Sequence, residues 1–300
     1  MVFAFWATAP AQPITTQPQS ITVNNASSAT FTVGAGSVTG YQWQFNTTNL
    51  MDGISSNGVT ISGSTNSVLT LEDVTTNEAG SYTVIVSNLI NSVTSSNAVL
   101  TITNGTTVRF ILSGFPGAGT SNVDVQLFDH DKPATVANFI HYIRSGAYAN
   151  MFFDRCYPGF VLQGGDYATT DQTNTNAPMT GWDIRSYTAS NQFSPPFPPQ
   201  VENEFGFGPL IHNRFGTIAM ALGSSSNSAT SAFFFNLADN SGSPQYLDDT
   251  NFTVFGRILN NSNEVVSSNV LAYFNALNYG NGAVESSTFL DYGTHIAIPY

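Results

Sequence analysis

The stretch that decides the fold of this chain reads FDRCYPGFVLQGGD over residues 153–166. Alternating residue types on both sides of a Pro-Gly pair predict two short strands joined by a turn. Side chains two positions apart on a strand point to the same face. Phe153 and Arg155 are therefore expected to share a face of the first strand, and Val161 and Gln163 a face of the second. This places a guanidinium and a carboxamide near aromatic rings, a combination that predicts a pocket.

The same stretch resembles the signature of the cyclophilin-type peptidyl-prolyl isomerases, F-H-R-x-x-P-G-F-[MV]-x-Q-G-G-D. It departs from that signature mainly at Asp154, where the family usually has His. So many fixed positions make the match far more specific than a short motif. Further matching segments keep the family's order at 132–139, 203–205, 216–221, 227–234, 246–248 and 252–257. The resemblance covers essentially all of 107–300 and implies an eight-stranded antiparallel β-barrel with two capping helices.

The two helices of this region are expected at 133–145 and near 264–277. In the first, Val136, Phe139 and Ile140 recur at helical spacing and predict a stripe that packs on a core. Gly146 marks the end of that helix. A last strand is expected at 295–298.

The resemblance also implies the site residues. Arg155 matches the catalytic arginine, and Gln163 matches a position that bonds to the substrate backbone, although Gln163 is equally placed to orient Arg155. The residues that match the apolar proline pocket and its neighbouring groove are Phe160, Val161, Ala221, Phe234, Tyr246, Leu247 and Phe252. Four positions depart from the family pattern: Ala232 replaces a glutamine, Leu222 stands where Asn or Arg is common, Tyr246 replaces Trp or Phe, and Phe252 replaces His or Tyr.

The implied activity is cis-trans isomerisation of Xaa-Pro bonds in protein segments, which assists protein folding and uses no cofactor and no metal. Proline-containing peptides or unfolded segments are the implied partners, and family resemblance adds a cyclosporin-like ligand. The departures and a proline-rich insert leave an alternative open. In that alternative, a catalytically weakened cyclophilin fold serves as a proline-peptide binding or cell-surface adhesion module.

The region 13–103 has short alternating strands separated by Gly, Asn and Ser, a spacing that favours a β-sandwich. Trp43, followed downstream by Tyr82 in the sequence EAGSYTV, resembles the immunoglobulin fold, with Tyr82 at the tyrosine-corner position. Val33 and Val84 stand where that fold usually has its two bridging cysteines. The fold class predicted for the whole chain is therefore mainly β, with an immunoglobulin-like domain at 13–103 and a cyclophilin-like domain at 107–300.

Composition narrows the functions further. The chain of 300 residues is longer than the usual single domain and carries a net charge of −12, with seven basic residues against nineteen acidic ones. Such a surface repels phosphate backbones, so no nucleic acid partner is expected. Cys156 is the only cysteine, which excludes an intrachain disulfide.

Residues 1–12 pair an apolar run with an Ala-Pro-Ala sequence and resemble the remnant of a signal peptide. A secreted, periplasmic or cell-surface location is therefore expected, and no segment approaches the ~18 apolar residues that span a bilayer. The insert 168–200, with its SPPFPP sequence, is expected to form an extended surface loop because proline cannot build a central strand. A lid or an internal pseudo-substrate is the alternative for this insert.

Overall fold

A computed structural model describes most of the chain: residues 14–36, 38–89, 91–115, 119–149, 151–169, 184–186, 200–259, 267–277 and 294–297. The chain divides into two compact units, Met1–Asn104 and Gly105–Tyr300. The expected signal-peptide remnant at 1–12 and most of the insert 168–200 lie outside the described residues. Within the ranges given above, no helix is both long and apolar enough to cross a membrane.

The first unit is a β-sandwich. Its strands are β1 Ile14–Thr16, β2 Ile21–Asn24, β3 Ala29–Thr32, β4 Gly34–Ala35, β5 Gly40–Phe45, β6 Thr48–Asn49, β7 Gly53–Ile54, β8 Thr60–Ser62, β9 Val68–Glu72, β10 Gly80–Ser87, β11 Ser92–Thr94 and β12 Ala98–Thr103. One sheet has the order β2-β12-β10-β5-β6, with β11 on β10, and the other has the order β3-β9-β8-β7, while β1 pairs with β4. Side chains from both larger sheets meet in one buried core.

The core of the first unit is built around Trp43, which is buried and lies opposite Val84 on the neighbouring strand. The Trp43 indole donates a hydrogen bond to the carbonyl of Asn66 at 2.9 Å, so its polar edge is satisfied inside the core. The Tyr82 hydroxyl donates to the carbonyl of Glu78 at 2.8 Å, which is the bond of a tyrosine corner. Val33 is buried as well, so aliphatic packing occupies the two cysteine positions. The immunoglobulin-like fold is confirmed.

The second unit is a closed barrel. Its strands are β13 Thr107–Phe115, β14 Gly119–Leu127, β15 Met151–Tyr157, β16 Val161–Thr169, β17 Ile184–Ser186, β18 Thr217–Met220, β19 Phe233–Asn236, β20 Val254–Leu259 and β21 Thr294–Ala297, and its helices are α1 Pro133–Arg144 and α2 Ser267–Asn275. The strands pair in the order β15-β21-β13-β14-β20-β18-β19-β16, and β16 pairs again with β15. The ring of eight antiparallel strands is therefore complete, as the sequence predicted, and β17 pairs with β16 beside it.

Alternate side chains of these strands fill an inner core. Phe233 and Phe235 of β19 lie there with Phe110 of β13, and the Phe110 ring meets them edge-on at centroid distances of 5.6 and 5.1 Å. Phe139 of α1 and Phe274 of α2 belong to the same cluster, so both helices pack on one core. Each buried aromatic or aliphatic side chain contributes roughly 1.5–3 kcal/mol to the stability of this core.

A buried lysine ties α1 to the loop 204–209. Lys132 is 1% exposed, and burial lowers the pKa of its amine to about 8, although the charges of Asp131 and Glu204 oppose that shift. Its three N–H groups are shared among the main-chain carbonyls of Glu204, Phe205, Phe207 and Pro209, all within hydrogen-bonding distance of Nζ. The Glu204 carboxylate accepts from the amides of Ala134 and Thr135 at 3.1 and 2.7 Å, which satisfies the first turn of the helix. The loop and the helix therefore support each other.

Candidate functional site

The side chains that do not enter the inner core form a second apolar cluster on the other face of the same strands. Gln163 lies opposite Phe234, Phe234 opposite Ala219, and Ala219 opposite Val254. Directly opposed residues share a face of a sheet, so these four form one row. We call the apolar group around this row the outer cluster; it comprises Phe128, Val161, Ile211, Ala219, Phe234, Leu247 and Val254, with Phe160, Ala221 and Phe252 partly buried against it.

A β-bulge brings Arg155 to this row. Arg155 lies opposite Gln163, whereas Phe153 lies opposite Gly164, so β15 has one residue more than β16 over this interval. The extra residue is Asp154. Phe153 is buried in the inner core, and the expectation that it shares a face with Arg155 was wrong, because a bulge breaks the period-two alternation and re-aims the next side chain.

A second irregularity follows on β16. Between the pairs Phe153–Gly164 and Met151–Ala168, β16 advances four residues while β15 advances two. Gly165 lies in this interval with a φ of +94°, and a Cβ at this position would lie 2.6 Å from the main-chain oxygen of Ser231. The backbone conformation and the close approach both require glycine here. The Gly-Gly pair of the signature is therefore part of the geometry that sets the register beside Arg155.

The Arg155 guanidinium lies beside an aromatic ring. Its Cζ is 5.7 Å from the centroid of Phe160, and the Phe160 ring meets Tyr157 edge-on at 5.9 Å. A guanidinium at this distance from a ring is held by a cation–π attraction. Among the residues that the structure describes, no hydrogen bond or ion pair engages this guanidinium, so its N–H groups are available to a ligand.

One carboxyl group, that of Asp154, lies beside Arg155, and a second, that of Asp166, interacts with Asp154 and Gln163. Burial raises the pKa of Asp154 to about 7, with a further contribution from the negative charge of Asp166, while Arg155 opposes the shift. Burial also raises the pKa of Asp166, and the Gln163 amide, whose Nε2 donates to Asp166 Oδ2 at 3.5 Å, opposes that shift. The Asp154 Oδ1 atom is buried and has no hydrogen-bond partner within the described part of the chain. The bulge residue thus places a titratable group next to the guanidinium.

Comparison of the sequence with known protein families identifies the family of the second unit. Residues 116–271, just over half of the chain, match the family described as cyclophilin type peptidyl-prolyl cis-trans isomerase/CLD.

The chain belongs to the cyclophilin-type peptidyl-prolyl isomerase family.

Residues 13–88 match an immunoglobulin domain. Among similar proteins, peptidyl-prolyl cis-trans isomerase A of Dickeya dadantii is 34% identical over 139 residues, which are 46% of this chain and 60% of that protein. A peptidyl-prolyl cis-trans isomerase of Acinetobacter baylyi is 30% identical over 138 residues, 46% of this chain and 61% of that protein. The isomerase cyp18 of Streptomyces antibioticus is 31% identical over 142 residues, 45% of this chain and 69% of that protein. The chain thus spans about three-fifths of the length of the first two relatives.

The cyclophilin-type unit brings most of the predicted site residues together. Arg155 and Gln163 face each other, and six of the seven predicted substrate-binding residues belong to or pack on the outer cluster: Phe160, Val161, Ala221, Phe234, Leu247 and Phe252. The Phe234 and Phe252 rings meet edge-on at 5.6 Å. Tyr246 is the exception, because it is 46% exposed and lies outside the cluster. The roles of all nine residues remain predictions.

Two of the departures from the family pattern, Ala232 and Leu222, differ in their position relative to the outer cluster. The main-chain oxygen of Ala232 accepts a hydrogen bond from the Ala221 amide at 2.9 Å, so this small residue lines the edge of the outer cluster. Leu222 packs against the inner core instead of the outer cluster. The Leu222 side chain is therefore directed away from the row that carries Arg155.

Sequence reasoning missed the polar layer of the cyclophilin-type unit. Three asparagines, Asn213, Asn236 and Asn240, are 0% exposed and lie in contact with the loops that carry Phe160, Leu247 and Phe252. Asn236 ends a run of three phenylalanines on β19. An asparagine directly after a buried aromatic strand was the available signal, since buried amides need several partners.

Proposed function

We propose that the cyclophilin-type unit catalyses cis-trans isomerisation of Xaa-Pro peptide bonds in protein segments. The observation that carries the proposal is the bulge at Asp154, which aims an arginine free of hydrogen bonds among the described residues at the edge of the outer cluster. The relatives from Dickeya dadantii and Acinetobacter baylyi are named as enzymes of this type, which supports the same activity here.

Isomerisation of an Xaa-Pro bond requires a hydrogen-bond donor but no nucleophile. Amide resonance gives the peptide bond a rotational barrier of ~18–20 kcal/mol. When the Xaa-Pro bond is twisted by about 90°, resonance is lost and the prolyl nitrogen regains a localised lone pair. A guanidinium N–H of Arg155 that donates to this nitrogen binds the twisted state better than the planar one, and only such differential binding lowers the barrier.

The outer cluster supplies the other half of the proposed catalyst. Val161, Phe234 and Leu247 are buried, with Phe160 and Phe252 partly exposed at the edge, so the cluster offers an apolar surface to a proline ring. Seating the ring there removes water from the neighbouring amide, and the hydrogen bond from Arg155 gains strength in the lower dielectric. The Phe160 ring restricts the position of the guanidinium before substrate arrives.

Gln163 completes the proposed site as a contact to the substrate backbone. Its amide is directed to Asp166 at 3.5 Å, and it lies opposite Arg155 without a hydrogen bond to it. This arrangement favours the substrate-binding role for Gln163 over orientation of the arginine. Ala221 and Tyr246 would border the neighbouring groove, where Tyr246 offers an exposed ring to the segment that flanks the proline.

The proposed substrates are proline-containing segments of unfolded or flexible proteins, and assistance to protein folding is the proposed role. A secreted, periplasmic or cell-surface location is proposed with it, since an immunoglobulin-like domain suits an extracellular protein. A cyclosporin-like macrocycle is proposed as a competitor for the same apolar surface. A second candidate, a proline-peptide binding module without catalysis, is favoured by the position of Tyr246 outside the cluster.

The deciding experiment measures the cis-trans exchange rate of a short Xaa-Pro peptide by NMR, with wild type, Arg155→Ala and a control, Arg144→Ala. Arg144 is an exposed arginine at the end of α1. We expect wild type and the control to accelerate exchange equally and Arg155→Ala to lose about 10²–10³-fold, the effect of removing one preorganised donor.

Equal activity of Arg155→Ala and wild type would remove Arg155 from the mechanism. Peptide binding by wild type without any acceleration of exchange would select the binding module. In both cases a melting curve for each variant shows that the protein under test is folded.

A further inference from the structure

Three buried asparagines form one hydrogen-bonded chain beneath the outer cluster. Asn240 Nδ2 donates to Asn236 Oδ1 at 2.7 Å, and Asn236 Nδ2 donates to Asn213 Oδ1 at 3.2 Å. Asn236 Nδ2 also donates to the hydroxyl of Thr217 at 2.8 Å. Polar groups inside a low-dielectric core interact strongly when their bonds are made and cost free energy when they are not. The three amides are therefore joined directly to one another, and Asn240 Oδ1 has no hydrogen-bond partner among the described residues.

Each end of this asparagine network touches the main chain of a residue in the outer cluster. Asn240 Nδ2 donates to the main-chain carbonyl of Phe160 at 2.8 Å, and the main-chain carbonyl of Asn240 accepts from the amide of Leu247 at 2.9 Å. Asn213 Nδ2 donates to the carbonyl of Phe252 at 3.0 Å. Phe160, Leu247 and Phe252 come from two loops far apart in the sequence. The main chain of each is hydrogen-bonded to a residue of the network.

The network ends on the carboxylate of Asp248, which lies beside the imidazole of His212. Asp248 Oδ1 accepts from the Asn213 amide at 3.0 Å and from its Nδ2 at 2.9 Å, and Asp248 Oδ2 lies 2.5 Å from His212 Nδ1. Burial alone would raise the pKa of Asp248, but the bonds from His212 and Asn213 outweigh it, so the pKa is lowered. Charge-assisted bonds of this kind are stronger than neutral ones. The loop after Leu247 is thereby fixed to the segment 212–213.

We infer that Asn213, Asn236 and Asn240 are positioning residues, which hold the main chains of Phe160, Leu247 and Phe252 so that the proline ring and the Arg155 guanidinium meet in the reactive geometry. The inference rests on the proposed isomerase function. Phe160 connects the network to Arg155, because its ring lies beside the guanidinium while its carbonyl accepts from Asn240 Nδ2 and from the Leu237 amide, each at 2.8 Å. A shift of that main chain would move both the pocket wall and the donor, and misplacement by about 1 Å costs on the order of 10²-fold in rate.

The test replaces one amide by an isosteric acid. Both hydrogens of Asn240 Nδ2 are donated, to Phe160 and Asn236, so Asn240→Asp sets a carboxylate oxygen against two acceptors. Asn138→Asp is the matched control: Asn138 is buried in the same unit, its Nδ2 donates to the carbonyl of Thr230 at 2.7 Å, and its Oδ1, like that of Asn240, has no partner in the described part of the chain. Both variants are expected to lower the melting temperature.

Activity separates the two variants. We expect Asn240→Asp to lose at least tenfold in kcat/KM at pH 8, mostly in kcat, and Asn138→Asp to stay within twofold of wild type. A buried carboxyl has a raised pKa, and its protonated form donates one hydrogen bond again. The activity of Asn240→Asp relative to wild type should therefore recover as the pH falls from 8 to 5, while the ratio for Asn138→Asp stays flat.

The ¹³C shift of the Phe160 carbonyl gives a readout that does not depend on catalysis. We expect it to change in Asn240→Asp and not in Asn138→Asp. Equal losses of kcat/KM in the two variants, or an unchanged Phe160 carbonyl, would overturn the inference. If wild type fails to accelerate exchange, the proposed function fails separately, and the inference is then judged on this shift and on the Kd for the proline peptide, which must rise in Asn240→Asp alone.

Discussion

Phe233 and Phe234 are neighbours on β19, and both are almost completely buried, at 0% and 3% exposure. Their surroundings differ. The Phe233 ring meets the rings of Phe110, Phe139, Tyr148 and Phe235 at 5.5–6.2 Å inside the barrel. The Phe234 ring meets Phe252, which is itself partly exposed, in a row that ends at Gln163 and Arg155. The degree of burial therefore does not distinguish a core residue such as Phe233 from a candidate site residue such as Phe234. The residues that each ring contacts do distinguish them.

The first prediction contrasts these two neighbours. Phe233→Ala leaves a cavity enclosed by four rings, and we expect it to cost about 3–5 kcal/mol of unfolding free energy. Phe234→Ala opens a gap at the edge of a partly exposed cluster, where water and neighbouring side chains can fill it, so we expect a cost on the order of 1–2 kcal/mol. Per folded molecule, Phe234→Ala should lose more isomerase activity. Urea denaturation and exchange NMR check both parts, and equal costs for the two variants would contradict the comparison.

The second prediction concerns the irregularity of β16 at Gly165, next to the bulge at Asp154. Gly165→Ala places a methyl group against the Ser231 carbonyl at a φ of +94°, and we expect a loss of about 1–3 kcal/mol from this strain. Because Gly165 sets the register of β16 beside Gln163, activity per folded molecule should fall as well. Gly146→Ala is the control, since Gly146 has a similar φ of +74° with open space around it. A Gly165→Ala protein that keeps full activity would show that the irregularity of β16 at Gly165 does not affect the position of Arg155.

The third prediction concerns the dependence of stability on pH at Asp154. Its pKa is raised from the ordinary 3.8 to about 7, so between these values the folded state keeps a proton that the unfolded state releases. Stability contributed by that proton is complete below about pH 4 and is lost as the pH rises through about 7. We expect Asp154→Asn to be more stable than wild type at pH 8 and equal to it at pH 4. Melting temperatures across this range, with exposed Glu202→Gln as the control, would contradict this account if the difference stayed constant.

Much of this fold was readable from sequence because its signals are local. The Trp43 and Tyr82 positions lie within one region of alternating strands, and the barrel was implied by the resemblance that the long motif at 153–166 carries. Phe153 was assigned to the wrong face because a bulge depends on the partner strand, which period-two reasoning on one strand does not include. The asparagine network was not predicted for a related reason. Asn213, Asn236 and Asn240 contact one another only after β18 and β19 have paired. Tyr246 matched a pocket position by motif, yet its exposed ring depends on a loop conformation that no spacing rule fixes.

The buried position of Lys132 has a practical consequence. It is the only lysine of the chain, and its amine is enclosed by the carbonyls of loop 204–209. Amine-reactive dyes and cross-linkers therefore find no accessible lysine on the folded barrel, and lysine-directed surface immobilisation will fail. For the same reason, the rate at which Lys132 is acylated measures how often the loop 204–209 opens, because each modified molecule has exposed that single amine.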